Sequence, residues 1–160
     1  MQCSLCENEK LIDGFSLGKQ PLANKYPKNS SEILQESLFD MKVDFCENCL
    51  SAQLHINVAR EIFFQDYYYL SSVNQELRDH FHELSKELKS KKFVLDIGSN
   101  DGILLSPLKK INVKCLGIDP SENVGNLAND KGLKTLITFF DENCFEDILR
   151  FGGNPDCIVA

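Results

Sequence analysis

From Leu77 the apolar residues recur at Phe81, Leu84 and Leu88, at spacings of four, three and four, with charged residues between them. That period lays one apolar stripe along a helix. Lys89-Ser90-Lys91-Lys92 closes it with cations, where the helix dipole favours them. The pattern changes at Phe93. Residues 93–97 are a short apolar run entering a glycine-rich turn, and a helix is predicted over 104–110. Residues 113–118 read as a second strand, and a helix through Val124, Leu127 and Ala128 ends at Gly132. Residues 135–137 make a third strand, Phe145, Ile148 and Leu149 mark another helix, and 157–159 make a fourth strand. Strands alternating with helices at this pitch predict a parallel α/β sheet with right-handed crossovers.

Residues 1–50 show no such period. They are rich in Cys, Gly, Pro, Asn and Ser, with turn signals at Asp13-Gly14, Leu17-Gly18, Tyr26-Pro27 and Asn29-Ser30-Ser31. A stretch this short, with so few large apolar residues, needs a staple beyond burial in order to fold. Three regions are therefore expected: a small module over 1–50, an aromatic connector and the striped helix over 51–92, and the first part of an α/β domain over 93–160. The connector runs from Ile62-Phe63-Phe64 to Tyr67-Tyr68-Tyr69.

Composition narrows the class. Of 160 residues, 42% are hydrophobic and 26% charged, the balance of a folded rather than a disordered chain. The net charge of −7 argues against a nucleic-acid or anionic-membrane partner, because phosphate affinity rests on clustered cations. No apolar run approaches the ~20 residues of a membrane span, and no basic-then-apolar leader opens the sequence. Seven cysteines, an odd number, fit a reducing compartment better than a disulfide framework. A cytoplasmic setting is expected.

Four of those cysteines form two identical knuckles, Cys3-x-x-Cys6 and Cys46-x-x-Cys49, separated by 39 residues. Each bend sets two thiolates on one side, and two bends complete the tetrahedron that Zn²⁺ prefers. Cys3, Cys6, Cys46 and Cys49 leave no open position, so the metal would be structural. A redox role is the other reading of either pair alone. Cys115, Cys144 and Cys157 lie outside the knuckles, and the two within strands read as small buried hydrophobes.

The turn after the first sheet strand reads Asp96-Ile97-Gly98-Ser99-Asn100-Asp101-Gly102. Glycines there let the backbone approach a ligand, and the helix that follows supplies free N–H groups. A dinucleotide fingerprint needs glycines at 98, 100 and 103, and Asn100 and Ile103 break it twice. Asn100 can still take a left-handed conformation. Asp119, twenty-three residues after Asp96, stands where a carboxylate can accept from both ribose hydroxyls of an adenosine ligand. Its other reading is a turn residue before Pro120.

The run 94–102 resembles the first motif of class I methyltransferases that use S-adenosylmethionine (SAM). More narrowly, the chain resembles the sugar-nucleotide C-methyltransferases, which methylate carbon 3 of deoxysugars carried on a nucleoside diphosphate. The resemblance runs through both cysteine pairs, Gln20-Pro21-Leu22-Ala23-Asn24, Tyr67-Tyr68-Tyr69-Leu70-Ser71-Ser72, the 97–102 turn, Gly117-Ile118-Asp119-Pro120-Ser121 and Phe139-Phe140. One departure is Asp119, where the family commonly carries glutamate. The resemblance implies a small zinc-binding N-terminal module followed by an incomplete Rossmann-like class I methyltransferase sheet. It implies that Asp96, Gly98, Asn100 and Gly102 shape the pocket for SAM and that Asp119 holds the ribose. Phe139 and Phe140 would flank the adenine, core packing being their other reading. Tyr67 or Tyr69 would offer a hydroxyl to a nucleotide-sugar substrate.

Carbon methylation needs a base to remove a proton next to a carbonyl. In the family this base is a histidine beyond residue 160, and His55, His80 and His82 match no such position. The chain is therefore expected to be an N-terminal portion, inactive and poorly soluble alone. A zinc-stapled binding module for a nucleotide or partner protein, without chemistry, is the alternative. A nicotinamide-dependent oxidoreductase is disfavoured by the broken glycine pattern.

Overall fold

A computed structural model describes residues 1–56, 58–64 and 67–160, which divide into two units, Met1–Phe63 and Phe64–Ala160. The first unit carries β1 (Leu11–Gln20), α1 (Ser30–Leu34), β2 (Phe39–Cys46) and β3 (Ala52–Leu54), and α2 (Arg60–Phe64) crosses the boundary. The strands form an antiparallel sheet in the order β1-β2-β3.

Two of the expected turns fall inside a strand. Asp13-Gly14 and Leu17-Gly18 lie within β1, at the two places where its register against β2 shifts. A Cβ at Gly14 would come within 2.5 Å of the Val43 carbonyl oxygen. The glycines therefore mark irregularities in a strand rather than chain reversals. β1 escaped the periodicity reading because its interior residues are exposed along the whole strand. The Asn29-Ser30-Ser31 signal starts a helix instead: the Asn29 Oδ1 accepts the N–H groups of Ser31 and Glu32 at 3.0 and 3.1 Å and caps α1.

Hydrophobic burial in this unit is minimal. Among its described residues the buried apolar side chains are Cys3 and Cys46. Buried Asp44 on β2 is held by the His55 Nδ1 at 2.6 Å and the Lys42 Nζ at 3.5 Å. The His55 contact, ahead of Lys42, draws the Asp44 carboxyl below the usual aspartate range.

The second unit starts with an irregular segment and a 3₁₀ turn at Ser71–Val73, then α3 (Gln75–Glu87). There follow β4 (Phe93–Ile97), α4 (Leu105–Lys110), β5 (Lys114–Asp119), α5 (Glu122–Asp130), β6 (Thr135–Ile137), α6 (Phe145–Gly152) and β7 (Cys157–Val159). The four strands are parallel, in the order β6-β5-β4-β7. Alternation along β4 serves both faces of the sheet. Phe93 and Leu95 join Leu116, Ile118, Cys144 and Ile148 on the α6 side. Val94 joins Leu104, Leu108 and Leu88 on the other, where Phe81 and Leu84 of the α3 stripe pack.

The chain winds outward from β4 through β5 to β6, then returns to place β7 on the opposite side of β4. Loops leaving on either side of that reversal diverge at the C-terminal strand ends, which is where open α/β sheets take ligands. The turn after β4 and the end of β5 both lie there. Among the described residues no helix is long and apolar enough to cross a membrane.

Candidate cofactor and metal sites

The two cysteine knuckles fold alike. In the first, the Glu7 N–H donates to the Cys3 carbonyl and the Cys3 N–H to the Asn8 carbonyl, at 2.9 and 2.8 Å. In the second, the Leu50 N–H donates to the Cys46 carbonyl and the Cys46 N–H to the Ser51 carbonyl, at 3.0 and 2.9 Å. Glu7 and Leu50, each four residues after the first cysteine, have φ of 59° and 61°. The two left-handed residues turn each chain back so that both thiols face one point. All four Sγ atoms lie within 4.8 Å of one another, and the cross-knuckle pairs Cys3–Cys49 and Cys6–Cys46 are each 3.6 Å apart. A tetrahedron with Zn–S bonds of about 2.3 Å has edges of roughly 3.8 Å, so these donors fit zinc. The Ser51 hydroxyl, then backbone N–H groups of the knuckle, hold the Cys3 thiol down to about 6, and backbone N–H groups lower Cys46. Both favour the thiolate that a metal takes. Cys115, Cys144 and Cys157 belong to the second unit and are free thiols, Cys144 buried and the other two half-buried.

The second site gathers at the ends of β4 and β5. The N–H groups of Gly98 and Ser99 both donate to the Ile118 carbonyl, at 2.8 and 3.1 Å, which fastens the turn to the neighbouring strand. Asp119 completes the fastening: its Oδ2 accepts the Asn100 N–H at 2.8 Å and its Oδ1 the Ser121 N–H at 2.9 Å. Each carboxylate oxygen retains a lone pair for a further donor. Asn100 has φ 48°, the left-handed conformation expected of it. Gly98 has φ 72°, and a Cβ there would meet nothing within 4 Å. The space above the turn is open.

Asp96 is 5% exposed, and no cation among the described residues pairs with it. Burial, and then the charge of Asp119, push its carboxyl up to about 7. A buried carboxyl held against its charge, beside an open turn, suits a ligand that brings a cation. SAM carries a sulfonium and an ammonium, and its ribose offers two hydroxyls to Asp119, so the donor set fits this group.

The remaining predicted residues are placed as follows. Gly102, φ 82°, faces the core: a Cβ there would lie 2.5 Å from the Leu133 Cδ1. Phe139 packs edge-on against Phe64, centroids 6.3 Å apart, and Phe64 lies 6.2 Å from the half-buried Tyr67. Phe140, 40% exposed, leans on Phe145 at 5.7 Å. Tyr68 and Tyr69 are 39% and 40% exposed, so none of the three tyrosines is fully buried. His80 and His82 are exposed on α3. The Asn100 side chain turns away from the open space. Its Nδ2 donates to the Tyr69 carbonyl and its Oδ1 accepts the Ser71 N–H, each at 3.0 Å. Sequence reasoning missed this second role, whose signal is an amide placed to donate and accept at once.

A glycine turn open to solvent and a strand-end carboxylate, beside a reversal in a parallel sheet, are the arrangement in which open α/β domains take ligands, and here they lie in a methyltransferase domain. The chain belongs to this family: the methyltransferase-domain model matches residues 69–160, and a zinc-binding-domain model matches residues 3–64. It is similar to the C-methyltransferase NovU of Streptomyces niveus, 26% identical over 158 residues that make up 95% of this chain. The chain spans 38% of that relative's length. It is also similar, at 24% identity and a TM-score of 0.32, to the structure of the plantazolicin methyltransferase BpumL in complex with SAH, over 41% of this chain and 30% of that one.

Two outcomes follow from the site geometry. Purified protein is expected to carry one zinc per chain, measured by elemental analysis, and Cys46→Ser to lose it. Chelation should then unfold Met1–Phe63 while leaving Phe64–Ala160 protected from hydrogen exchange. Full zinc content in the Cys46→Ser variant contradicts the site.

The other concerns pH. Folded Asp96 keeps its proton to about pH 7, whereas the unfolded chain releases it near 3.8. The cost to stability is absent below the unfolded value, grows as pH rises toward 7 and is complete above it. Asp96→Asn removes it. In urea melts the variant should gain about 2 kcal/mol more relative to wild type at pH 8 than at pH 5. A gain independent of pH contradicts the assignment.

Proposed function

We propose that this chain binds SAM for C-methylation of a nucleotide-linked keto-deoxysugar, with zinc as a structural staple. The observation that carries the reading is the pair of buried carboxylates, Asp96 and Asp119, on neighbouring strands beneath a turn left open at Gly98. The sugar-nucleotide substrate is supported by the ordered resemblance from the cysteine pairs to Phe139-Phe140, and carbon as the methyl acceptor by similarity to a C-methyltransferase. A four-thiol zinc cluster and three free thiols outside it support a reducing, cytoplasmic setting.

Bound SAM supplies an electrophilic methyl group. Asp96 answers the cationic amino-acid end and Asp119 accepts from the ribose hydroxyls. Phe139 or Phe140 offers an apolar face to the adenine. Tyr67 or Tyr69 presents a hydroxyl on the substrate side. A carbon nucleophile forms only once a proton next to the keto group is removed, and holding the substrate against the methyl donor then lowers the remaining barrier.

Calorimetry tests the cofactor. S-adenosylhomocysteine (SAH) is expected to bind and NAD not, and Asp119→Ala should weaken SAH by about tenfold or more, as for loss of charge-assisted hydrogen bonds. NAD binding as tightly as SAH contradicts the reading. Transfer of label from SAM to a dTDP-4-keto sugar tests the substrate class.

A further inference from the structure

The segment from Tyr67 to Leu70 has no helix or strand of its own, and a short 3₁₀ turn follows at Ser71–Val73. Backbone polar groups in such a segment need partners from elsewhere, and here side chains of the cofactor domain supply them. Asn123, in the first turn of α5, accepts the Tyr67 N–H at 3.3 Å on its Oδ1 and donates its Nδ2 to the Tyr67 carbonyl at 2.8 Å. Asn100 makes the same two-way contact one step along, with the Tyr69 carbonyl and the Ser71 N–H. Asp101 accepts the Ser72 N–H at 3.2 Å and also the Ser72 hydroxyl, and Lys131 braces it at 3.3 Å.

These three side chains come from the two elements that build the pocket. Asn100 and Asp101 belong to the turn after β4, and Asn123 follows Asp119 by four residues. The link to the pocket is direct, because the Asn100 backbone N–H is bonded to the Asp119 carboxylate while its side chain grips the tyrosine segment. A ligand that engages Asp119 or settles the turn at Gly98 therefore bears on the residue that fixes Tyr69 and Ser71.

We infer that Asn100, Asp101 and Asn123 are positioning residues that hang the tyrosine segment on the cofactor turn, so that the substrate-side tyrosines are ordered by the same bonds that shape the cofactor pocket. This rests on the reading of the pocket as a SAM site and of Tyr67 or Tyr69 as the substrate-side hydroxyl. An asparagine suits the task because its amide donates and accepts at once and matches a backbone peptide on both counts. Replacement by aspartate would keep only the acceptor.

Two variants separate the segment from the pocket. Asn100→Gly keeps access to the left-handed backbone and the N–H to Asp119, and loses only the side-chain grip. Asn123→Ala removes both bonds to Tyr67 and leaves the turn after β4 intact. Hydrogen exchange of the full chain, read by mass spectrometry over residues 67–73, should quicken by about fivefold or more in each unliganded variant. The chain has no tryptophan, and three of its four tyrosines are Tyr67, Tyr68 and Tyr69. The tyrosine band in near-ultraviolet circular dichroism should therefore weaken in both variants while the far-ultraviolet spectrum is kept. With SAH, wild type should gain protection over both 96–102 and 67–73. Asn100→Gly should gain it fully over 96–102 but less than wild type over 67–73, since Asn123 and Asp101 still hold Tyr67 and Ser72.

Exchange over 67–73 equal to wild type in both variants overturns the inference, as does SAH protection of 67–73 that is as large in Asn100→Gly as in wild type. Failure of SAH to protect 96–102 in wild type counts against the cofactor reading separately, since the unliganded exchange already decides whether the side chains hold the segment.

Discussion

The carboxylate of Asp119 accepts one N–H from Asn100 and one from Ser121, and the site at the strand ends depends on that pair of bonds. The first fixes the turn after β4 against β5, with Asn100 in a left-handed conformation and Gly98 open above it. The second fixes the start of the α5 segment that carries Asn123. Together with the Gly98 and Ser99 bonds to the Ile118 carbonyl, these contacts set the backbone from which the Asn100 side chain reaches the tyrosines. A group that shapes the turn and is also the expected ribose acceptor ties the form of the pocket to its occupancy.

Electrostatic tension accompanies this arrangement. Asp96 lies buried near Asp119 with no cation among the described residues to answer it, and its carboxyl is pushed up accordingly. Such a group costs stability that grows as pH rises toward about 7 in the free chain, a cost that a bound cation would offset. The Met1–Phe63 unit resolves a different deficit. Its sheet buries almost no apolar side chain besides two metal-facing cysteines, and the four thiols take the place of a core. Metal binding there is folding free energy, which explains how a unit whose first strand is exposed along nearly its whole length can persist.

The two halves of the sequence were unequally legible for these same reasons. The βα pattern after Phe93 was readable because burial on both faces of a parallel sheet leaves short apolar runs such as 93–95 and 116–118, with stretches of helical period between them. Strand β1 was not, because its interior positions are exposed and its glycines mark register shifts that look like turns in one dimension. The cysteine knuckles were legible as a spacing, but their matching left-handed residues, Glu7 and Leu50, carry no sequence signature. That Asp96, Gly98 and Asp119 share one strand-end turn was legible because their placement is local to the ends of β4 and β5. The grip of Asn100 and Asn123 on the tyrosine segment could not, since it joins positions 31 and 56 residues apart through side chain to backbone bonds.

A crystal structure of the zinc-loaded chain soaked with S-adenosylhomocysteine decides whether the strand-end turn is the cofactor site. Density is expected over the Gly98 turn, with the ribose hydroxyls on the Asp119 carboxylate and the amino-acid end toward Asp96. Density for the ligand elsewhere, for instance in the groove of about 490 Å³ lined by Arg78, His82, Ser106 and Lys110, with the Asp119 oxygens untouched, would contradict it.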